Sequence, residues 1–126
     1  MENWNVMLET RLTILLIGND AALSYLLRRF AQRSGYQWKV YKEKAASREI
    51  ADLHPIAVIF QSMELLARNQ AFVAELANLD VPILVCSSVL EEARARELGA
   101  DYCLLHPLTY DNFQTALANT TTSKHP

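Results

Sequence analysis

The chain has 126 residues, the size of one domain, and is long enough to bury roughly two thirds of the surface that the unfolded chain exposes. Apolar residues make up 51% and charged residues 21%, and the formal net charge is -2. This composition is ordinary for a globular protein. It offers no basic field for nucleic acid or an anionic membrane, and no apolar run reaches the roughly 18 residues of a membrane span.

The N-terminal segment and the cysteines indicate where the protein resides. Residues 1–11 are predicted to be a leader or an arm docked elsewhere, and they start polar and acidic where a signal peptide would be basic and then apolar. Cys86 and Cys103 both lie inside apolar runs, which favours buried, reduced thiols over a disulfide. The sequence therefore predicts a cytoplasmic protein.

The first third of the chain predicts two strands around one helix. Residues 12–17 form an apolar run typical of a buried strand, and the polar turn that follows ends at Asp20, the predicted N-cap. Apolar residues at helical spacing predict a helix over residues 21–34. Residues 37–41 alternate enough to predict a short strand at a sheet edge, where lysines discourage edge-to-edge pairing.

The central stretch is the apolar run from Pro55 to Phe60, which ends at the amide Gln61. Such a run is typical of a strand covered on both faces by helices in a parallel sheet. Ser47 is the predicted N-cap of a short helix before it, and this helix ends ahead of His54 because the residue before proline avoids the helical conformation. Functional crevices lie beyond the carboxyl ends of such strands, so Gln61 is predicted at the centre of any site.

The second half of the chain continues the alternation of strands and helices. The predicted elements are a helix between residues 63 and 79, a strand over residues 83–86, a helix from Ser87 or Ser88 to Leu98, and a strand over residues 102–105. Thr109 is the predicted N-cap of a last helix, and composition predicts a flexible tail over residues 119–126.

Five predicted strands alternate with five predicted helices, without internal repeats or linkers. This alternation predicts an α/β fold of three layers, α/β/α, in which a (βα)5 doubly wound sheet of five parallel strands is covered by helices. The domain is predicted over residues 12–118.

The chain resembles the receiver domains of response regulators, the CheY-like family, over about residues 12–118. The resemblance rests on the strand-to-helix run 14–36, on Val81-Pro82 before the fourth strand, and on two short segments near the end. These segments are 99–101, Gly-Ala-Asp, and 106–108, His-Pro-Leu, the second similar to the family's Lys-Pro-Phe turn with His in place of Lys. The resemblance implies the strand order 2-1-3-4-5.

Receiver domains transfer a phosphoryl group to an aspartate at the end of the third strand, while an acidic pair after the first strand holds Mg²⁺. The nucleophile position is Gln61, whose amide cannot form an acyl phosphate, and the acidic pair is Gly18-Asn19, with Asp20 one place further on. The lysine that pairs with the phosphoryl group is His106. The resemblance therefore implies a degenerate pseudo-receiver that lacks the phospho-acceptor aspartate, with no cofactor and no metal.

Ser87 matches the family's hydroxyl position. The aromatic switch position of the fifth strand falls on Cys103, while Tyr102 is one place early and would face the other side of the sheet. A slip of one residue would restore Tyr102, so both assignments stay open. The loop after Gln61 also departs from the family, because it lacks the usual Pro and Gly turn.

Other side chains have both a functional and a plainer interpretation. Asp20 and Glu64 could bind a cation together, or they are an N-cap and a surface acid. His106 could be a pH-sensitive contact or a turn residue. Cys86 and Cys103 could form a redox pair, although apolar surroundings make buried thiols inert.

These observations predict a stand-alone pseudo-receiver that regulates two-component-type signal transduction by phosphorylation-independent contact with a protein, either a signalling partner or a second copy. Two alternatives remain: an atypical response regulator phosphorylated at a non-standard acid such as Asp20, and a small-ligand sensor whose pocket is the emptied acidic crevice. No third acid completes a hydrolytic set with Ser87 and His106, so we do not expect an enzyme.

The resemblance also implies where a partner binds, because receiver partners and sister subunits commonly meet the face made by the fourth helix, the fifth strand and the fifth helix. Helical spacing assigns five side chains to that face: Glu91, Arg94, Glu97, Tyr110 and Gln114. A mixed-charge face with one aromatic anchor fits a specific, modest interface.

Overall fold

The computed structural model describes residues 12–124, so the predicted leader over residues 1–11 lies outside the described part. Within that part, five strands alternate with six α-helices and one 3-10 turn. The strands are β1 (Thr13–Ile17), β2 (Gln37–Tyr41), β3 (Ala57–Phe60), β4 (Ile83–Ser87) and β5 (Tyr102–Leu105). The helices are α1 (Ala21–Arg33), α2 (Ser47–Leu53), α3 (Met63–Arg68), α4 (Gln70–Asn78), α5 (Glu92–Glu97) and α6 (Tyr110–Lys124), and the 3-10 turn is Val89–Glu91.

The strands form one parallel sheet in the order β2-β1-β3-β4-β5. This confirms the predicted doubly wound α/β fold and the strand order that the resemblance implied. Every residue of β1, β3 and β4 is buried, because helices cover both faces of the central strands. The β2 strand lies at the edge, as predicted, and no residue of it is fully buried.

Successive residues of each strand point to opposite faces, so the sheet separates two cores. Leu15 and Ile17 of β1 belong to the core under α2, α3, α4 and α5, whereas Ile14 and Leu16 belong to the core under α1 and α6. Phe113 of α6 is fully buried in the second core, as its spacing predicted. Each fully buried aliphatic side chain stabilises the fold by roughly 1.5–3 kcal/mol.

The helix predicted between residues 63 and 79 forms in two parts, α3 and α4, because the chain interrupts it at Asn69. The Asn69 backbone has φ -117° and ψ 45°, outside the helical region. Its side-chain Nδ2 donates to the carbonyl oxygen of Leu65 at 2.8 Å. A buried amide that bonds the backbone of the preceding turn competes with the helical ladder, and two short helices, α3 and α4, result.

The segment after β4 also differs from its prediction. Ser87 is the buried last residue of β4, and Ser88 is the N-cap residue of a 3-10 turn rather than of one continuous helix. The backbone N–H of Ser88 donates to Oε1 of Glu91 at 3.0 Å, which stabilises this turn. The following helix, α5, has only six residues.

Two helix ends differ from expectation. The α2 helix starts at Ser47 itself, with Ala46 as the N-cap residue, and the Ala46 N–H donates to Oε1 of Glu49 at 3.3 Å. The α6 helix begins after Thr109, whose Oγ1 accepts from the Asn112 N–H as predicted, but runs to Lys124 through residues expected to form a flexible tail. Thr120 is buried, so the inward side of this helix extends one turn beyond Ala116 and Leu117.

Candidate functional site

Gln61 follows β3 at the carboxyl edge of the sheet, where the sequence predicted the centre of any site. Only 5% of the residue is exposed. Its Oε1 accepts from the Asp20 N–H at 2.9 Å, and its Nε2 donates to Oγ of Ser24. Its backbone N–H also donates to the carbonyl oxygen of Ile17 at 2.9 Å. Gln61 therefore joins the end of β3 to the loop and first turn that follow β1.

Gly18 lies directly against this amide. A Cβ atom at position 18 would lie 2.6 Å from Oε1 of Gln61 and 2.8 Å from its Cβ atom, both well inside van der Waals contact. The backbone φ of Gly18 is +141°, which also favours glycine. An acid at position 18 is therefore incompatible with the observed position of Gln61, so the two departures from the receiver pattern are structurally coupled.

Asn19 and Asp20 are exposed at the start of α1. Oδ1 of Asp20 accepts from the Leu23 N–H at 2.9 Å, so this carboxylate is the N-cap, as predicted. Glu64 forms an exposed ion pair with Arg68 at 3.6 Å, and Arg68 also pairs with Glu43 at 3.2 Å. Across residues 12–124, no group of three or more His, Cys, Asp or Glu side chains is arranged to hold a metal ion.

A cavity of about 450 Å³ opens beside Gln61. It is lined by Asn19, Asp20, Lys42, Glu43, Gln61, Ser62, Glu64, Leu65 and Arg68. Lys42 and Arg68 supply positive charge, and three acids supply negative charge, so the cavity has no strong preference for one sign of ligand. Its floor is the amide of Gln61.

Ser87 and His106 are brought together by their backbones. The His106 N–H donates to the carbonyl oxygen of Ser87 at 3.1 Å. The Ser87 hydroxyl is sealed from solvent, does not line the cavity beside Gln61, and has no hydrogen-bond partner among the described residues. The His106 side chain is exposed, so the two side chains have different environments.

The two cysteines lie on neighbouring strands but face opposite cores. Cys103 pairs in register with Val85, one residue before Cys86. Cys86 is buried in the core under α1 and α6, whereas Cys103 packs against the other core. Both thiols are free, and burial raises the pKa of Cys86 to about 12. The redox-pair alternative is therefore excluded, because adjacent strand residues on opposite faces cannot be bridged.

Tyr102 and Cys103, the two candidates for the switch position, also face opposite sides. Tyr102 packs toward α6, and its hydroxyl accepts from Nδ2 of Asn119 at 3.1 Å. Cys103 is on the side of α5 and is partly exposed. The expectation that Tyr102 and Cys103 face opposite sides of the sheet is confirmed. Cys103 therefore lies on the strand face that the resemblance assigns to the aromatic switch residue.

The five side chains of the predicted partner face differ in exposure and packing. Glu91, Arg94 and Glu97 are exposed together, and Arg94 pairs with Glu97 at 3.8 Å. Tyr110 instead packs against α1: its hydroxyl lies 3.1 Å from Oγ of Ser34, and the Arg33 guanidinium lies 4.1 Å from its ring centroid.

Gln114 is exposed one turn after Tyr110, on the same side of α6. Tyr110 therefore belongs to the contact with α1, whereas the other four side chains of the predicted face are exposed. Asn112 and Thr115 of α6 line a cavity with β5 instead.

Sequence reasoning missed Ser24, the partner of Gln61. Ser24 lies on the inward stripe of α1 together with Leu27 and Ala31, which follow at three and seven residues. Most buried hydroxyls have a hydrogen-bond partner, so this spacing was a usable signal. The exposed pair Val89 and Leu90 was also missed, because the segment was predicted as a regular helix.

No protein-family model matches the chain, and no curated protein matches it by sequence. None of the helices formed by residues 12–124 is long and apolar enough to cross a membrane. Solved structures do share the fold. CheY4, a chemotaxis protein of Vibrio cholerae, matches with a TM-score of 0.68 and 14% identity over 87% of this chain and 98% of its own.

Two receiver domains match over a similar extent. The receiver domain of a Pseudomonas aeruginosa sensor histidine kinase, with a magnesium ion coordinated in its active-site cleft, has a TM-score of 0.69 and 14% identity over 89% of this chain and 98% of its own. The signal receiver domain of a modulated diguanylate cyclase from Desulfovibrio desulfuricans has a TM-score of 0.67 and 20% identity over 89% of this chain and 94% of its own. At such identities, these similarities establish the fold alone.

Proposed function

We propose that the chain is a degenerate receiver domain that regulates signal transduction by contact with another protein, without phosphorylation and without catalysis. The observation that carries this proposal is the pair formed by Gln61 and Gly18. The shared fold of the solved receiver domains supports a signalling role, and the side chains beyond the strand ends support the loss of phosphoryl chemistry.

Phosphoryl transfer to a receiver needs a carboxylate nucleophile and a divalent cation that neutralises charge on the phosphoryl oxygens. At the end of β3, the Gln61 amide has neither the charge nor the oxygen nucleophile for this reaction. Its carbonyl oxygen accepts from Asp20, and its amino group donates to Ser24. Gly18 contributes no ligand, and the carboxylate of Asp20 caps α1. These contacts support a site whose polar groups are bonded to one another rather than placed to bind a phosphoryl group.

Incubation with acetyl phosphate and Mg²⁺ tests the proposal. We expect no phosphoprotein by intact-mass spectrometry and no rise in melting temperature with beryllofluoride and Mg²⁺, while an active receiver domain treated in parallel responds to both. A protein partner isolated with the untreated chain should bind equally well after treatment.

A stable 1:1 phosphoprotein would contradict the proposal. Loss of that phosphate in the Asp20→Asn variant would identify an atypical receiver that uses Asp20. If the Asp20→Asn variant still carried the phosphate, another acid would be the acceptor.

The cavity beside Gln61 supports a second candidate, a small-ligand sensor. Its volume of about 450 Å³ is within the range of small-molecule sites. Lys42 can bind an anionic group of a ligand, while the three acids of the lining accept hydrogen bonds from its donor groups. A ligand that binds the folded state raises the melting temperature with concentration. A screen of nucleotides and small organic acids should give such a shift, and Lys42→Ala should remove it. If none of these compounds changed the melting temperature, nucleotides and small organic acids would be eliminated as ligands.

A further inference from the structure

The 3-10 turn after β4 carries an exposed apolar pair. Leu90 is 95% exposed and Val89 is 64% exposed. The turn is not loose, because both the backbone N–H and the Oγ of Ser88 donate to Oε1 of Glu91, at 3.0 Å and 3.3 Å. Single exposed aliphatic side chains are ordinary, but two in succession on a fixed turn form an apolar projection. Glu91 and Glu92 make this projection acidic at its base.

A second surface, on α1, has the complementary chemistry. An open concavity of about 470 Å³ is lined by Tyr25, Arg29, Phe30, Gln32 and Arg33. Tyr25 is 55% exposed, and Nη1 of Arg29 donates to its hydroxyl at 3.1 Å. The α1 sequence contains no acid and three arginines. Aromatic and arginine side chains are the types enriched at protein interfaces.

The charge of the whole chain is divided in the same way. Residues 21–48 contain seven Lys and Arg side chains and one acid, Glu43. Residues 49–120 contain three Arg and Lys side chains and ten acids. The net charge of -2 therefore hides two regions of opposite sign, one that includes α1 and one that includes the Val89–Glu92 projection. Such a distribution attracts the basic region of one copy to the acidic region of another.

The two surfaces lie on different sides of the sheet, which favours a contact that is not reciprocal. The 3-10 turn leads into α5, which packs on one face of the sheet through Ala95, whereas α1 packs on the other face through Leu27 and Ala31. In a two-fold dimer each copy would have to present both surfaces to its partner at once. A contact between unlike patches on different sides is heterologous and leaves one of each free at the ends.

We propose that this chain self-associates head to tail: Leu90 of one copy enters the concavity on α1 of the next, and its Glu92 meets Arg29 there. The occupant is a second copy because the chain itself supplies both an apolar, acidic projection and an aromatic, basic recess. The proposal is independent of the Gln61 site and of phosphate, so it can fail while the proposed function stands.

Sedimentation velocity of the full chain tests this self-association up to about 1 mM, where a contact with a Kd of that order is half formed. We expect the weight-average mass to increase with concentration and to decrease when salt is raised. Leu90→Ser should abolish the increase, and so should the pair Tyr25→Ser with Arg29→Glu. Leu79→Ser removes an exposed aliphatic side chain outside both surfaces and should leave self-association unchanged.

A mixing experiment separates this mode from any symmetric dimer. The Leu90→Ser chain keeps its concavity, and the Tyr25→Ser/Arg29→Glu chain keeps its projection, so an equimolar mixture should form a 1:1 complex that neither variant forms alone. Circular dichroism and melting temperature establish that each variant folds.

Three results would overturn the proposal. If the wild-type chain stayed monomeric up to about 1 mM, the projection and the concavity would not bind each other. Folded variants that still self-associate would move the interface elsewhere. A mixture that fails to form the complex although wild type self-associates would favour a symmetric contact.

Discussion

Gln61 is a buried side chain that determines which residue its neighbour can be. Its amide lies where a side chain at position 18 would project, and it bonds the N-cap residue Asp20 and Ser24 in the first turn of α1. A buried amide with both ends bonded contributes to stability, because removing it leaves other buried polar groups without partners. At the scale of single residues, the site is therefore part of the folded framework.

This coupling can be measured with a double-mutant cycle. Gly18→Ala should lower the free energy of unfolding by about 2–4 kcal/mol, from backbone strain and from the clash with Gln61. With Gln61→Gly already present, which removes the Cβ atom as well as the amide, the same change should cost less, giving a coupling of roughly 0.5–3 kcal/mol in chemical denaturation. Gly35→Ala is the matched control, since its φ is +85° but an added Cβ meets nothing within 4 Å. Equal costs of Gly18→Ala in both backgrounds would mean that the clash is relieved by local movement.

Cys86 makes stability depend on alkaline pH. Burial raises the pKa of its thiol to about 12, and the charges of Asp20 and Cys103 act in the same direction. An unfolded thiol ionises at about 8.5, so the contribution is fully present below that pH and falls by about 1.4 kcal/mol per pH unit above it, up to about pH 12. In urea denaturation between about pH 7.5 and 10, wild type should lose this stability relative to Cys86→Ala. Parallel curves would show that the thiol ionises in the folded state.

The contact between α1 and α6 is held by Tyr110, which the sequence had assigned to a partner. Its ring lies 5.6 Å from that of Phe30, under the Arg33 guanidinium, and its hydroxyl is bonded to Ser34. At the scale of elements, this aromatic side chain anchors one helix to another. An interface variant at Tyr110 would therefore test folding and binding together.

Tyr110→Ala should lower the free energy of unfolding by about 2–3 kcal/mol, the sum of a ring pair, a cation contact and a hydrogen bond. Gln114→Ala, one turn further along α6 and exposed, is the control and should change stability by less than about 0.5 kcal/mol. If Tyr110→Ala were as stable as its control, the packing against α1 would contribute nothing.

The helices are also where sequence reasoning succeeded least. The apolar runs of β1 and β3 predicted their strands directly, because burial on both faces leaves no ambiguity about the residue types required. The break at Asn69 depends on one side chain that bonds the Leu65 carbonyl, and helical periodicity carries no signal for such a bond. The direction of Tyr110 depends on which flank of α6 meets α1, and spacing along one helix cannot predict that.

The positions of the candidate site residues along the chain were predicted, but their contacts were not. Position along the strands located Gln61, Ser87 and His106 at the carboxyl edge, since parallel strands end together. The contact between Gln61 and Ser24 spans 37 residues and depends on how α1 packs on the sheet. Resemblance supplied the roles of these positions, and only the folded chain explains why Gly18 accompanies Gln61.

For the molecule as a whole, the division of charge should be visible without any partner. Despite its net charge of -2, the protein should be retained at pH 7 and low salt by both cation- and anion-exchange resins. The cation exchanger binds the basic region and the anion exchanger binds the acidic region. Retention on both should vanish as ionic strength rises and the screening length falls below about 10 Å. Arg29→Glu should weaken retention on the cation exchanger more than Arg94→Glu does. Equal effects of the two changes would mean that the basic residues do not act as one region.

The contact between Gly18 and Gln61 also limits the mutational routes open to this sequence. An aspartate introduced at position 18 alone meets the amide of Gln61, and an aspartate introduced at position 61 alone abandons the bonds to Asp20 and Ser24. Both single steps pass through a less stable protein, and neither yields a carboxylate pair. Selection for phosphate acceptance would therefore have to pass through destabilised intermediates. Substitutions at the exposed Asn19 would carry no such loss of stability. Because reversal of either residue alone is disfavoured, Gly18 and Gln61 should be inherited together among descendants of this chain.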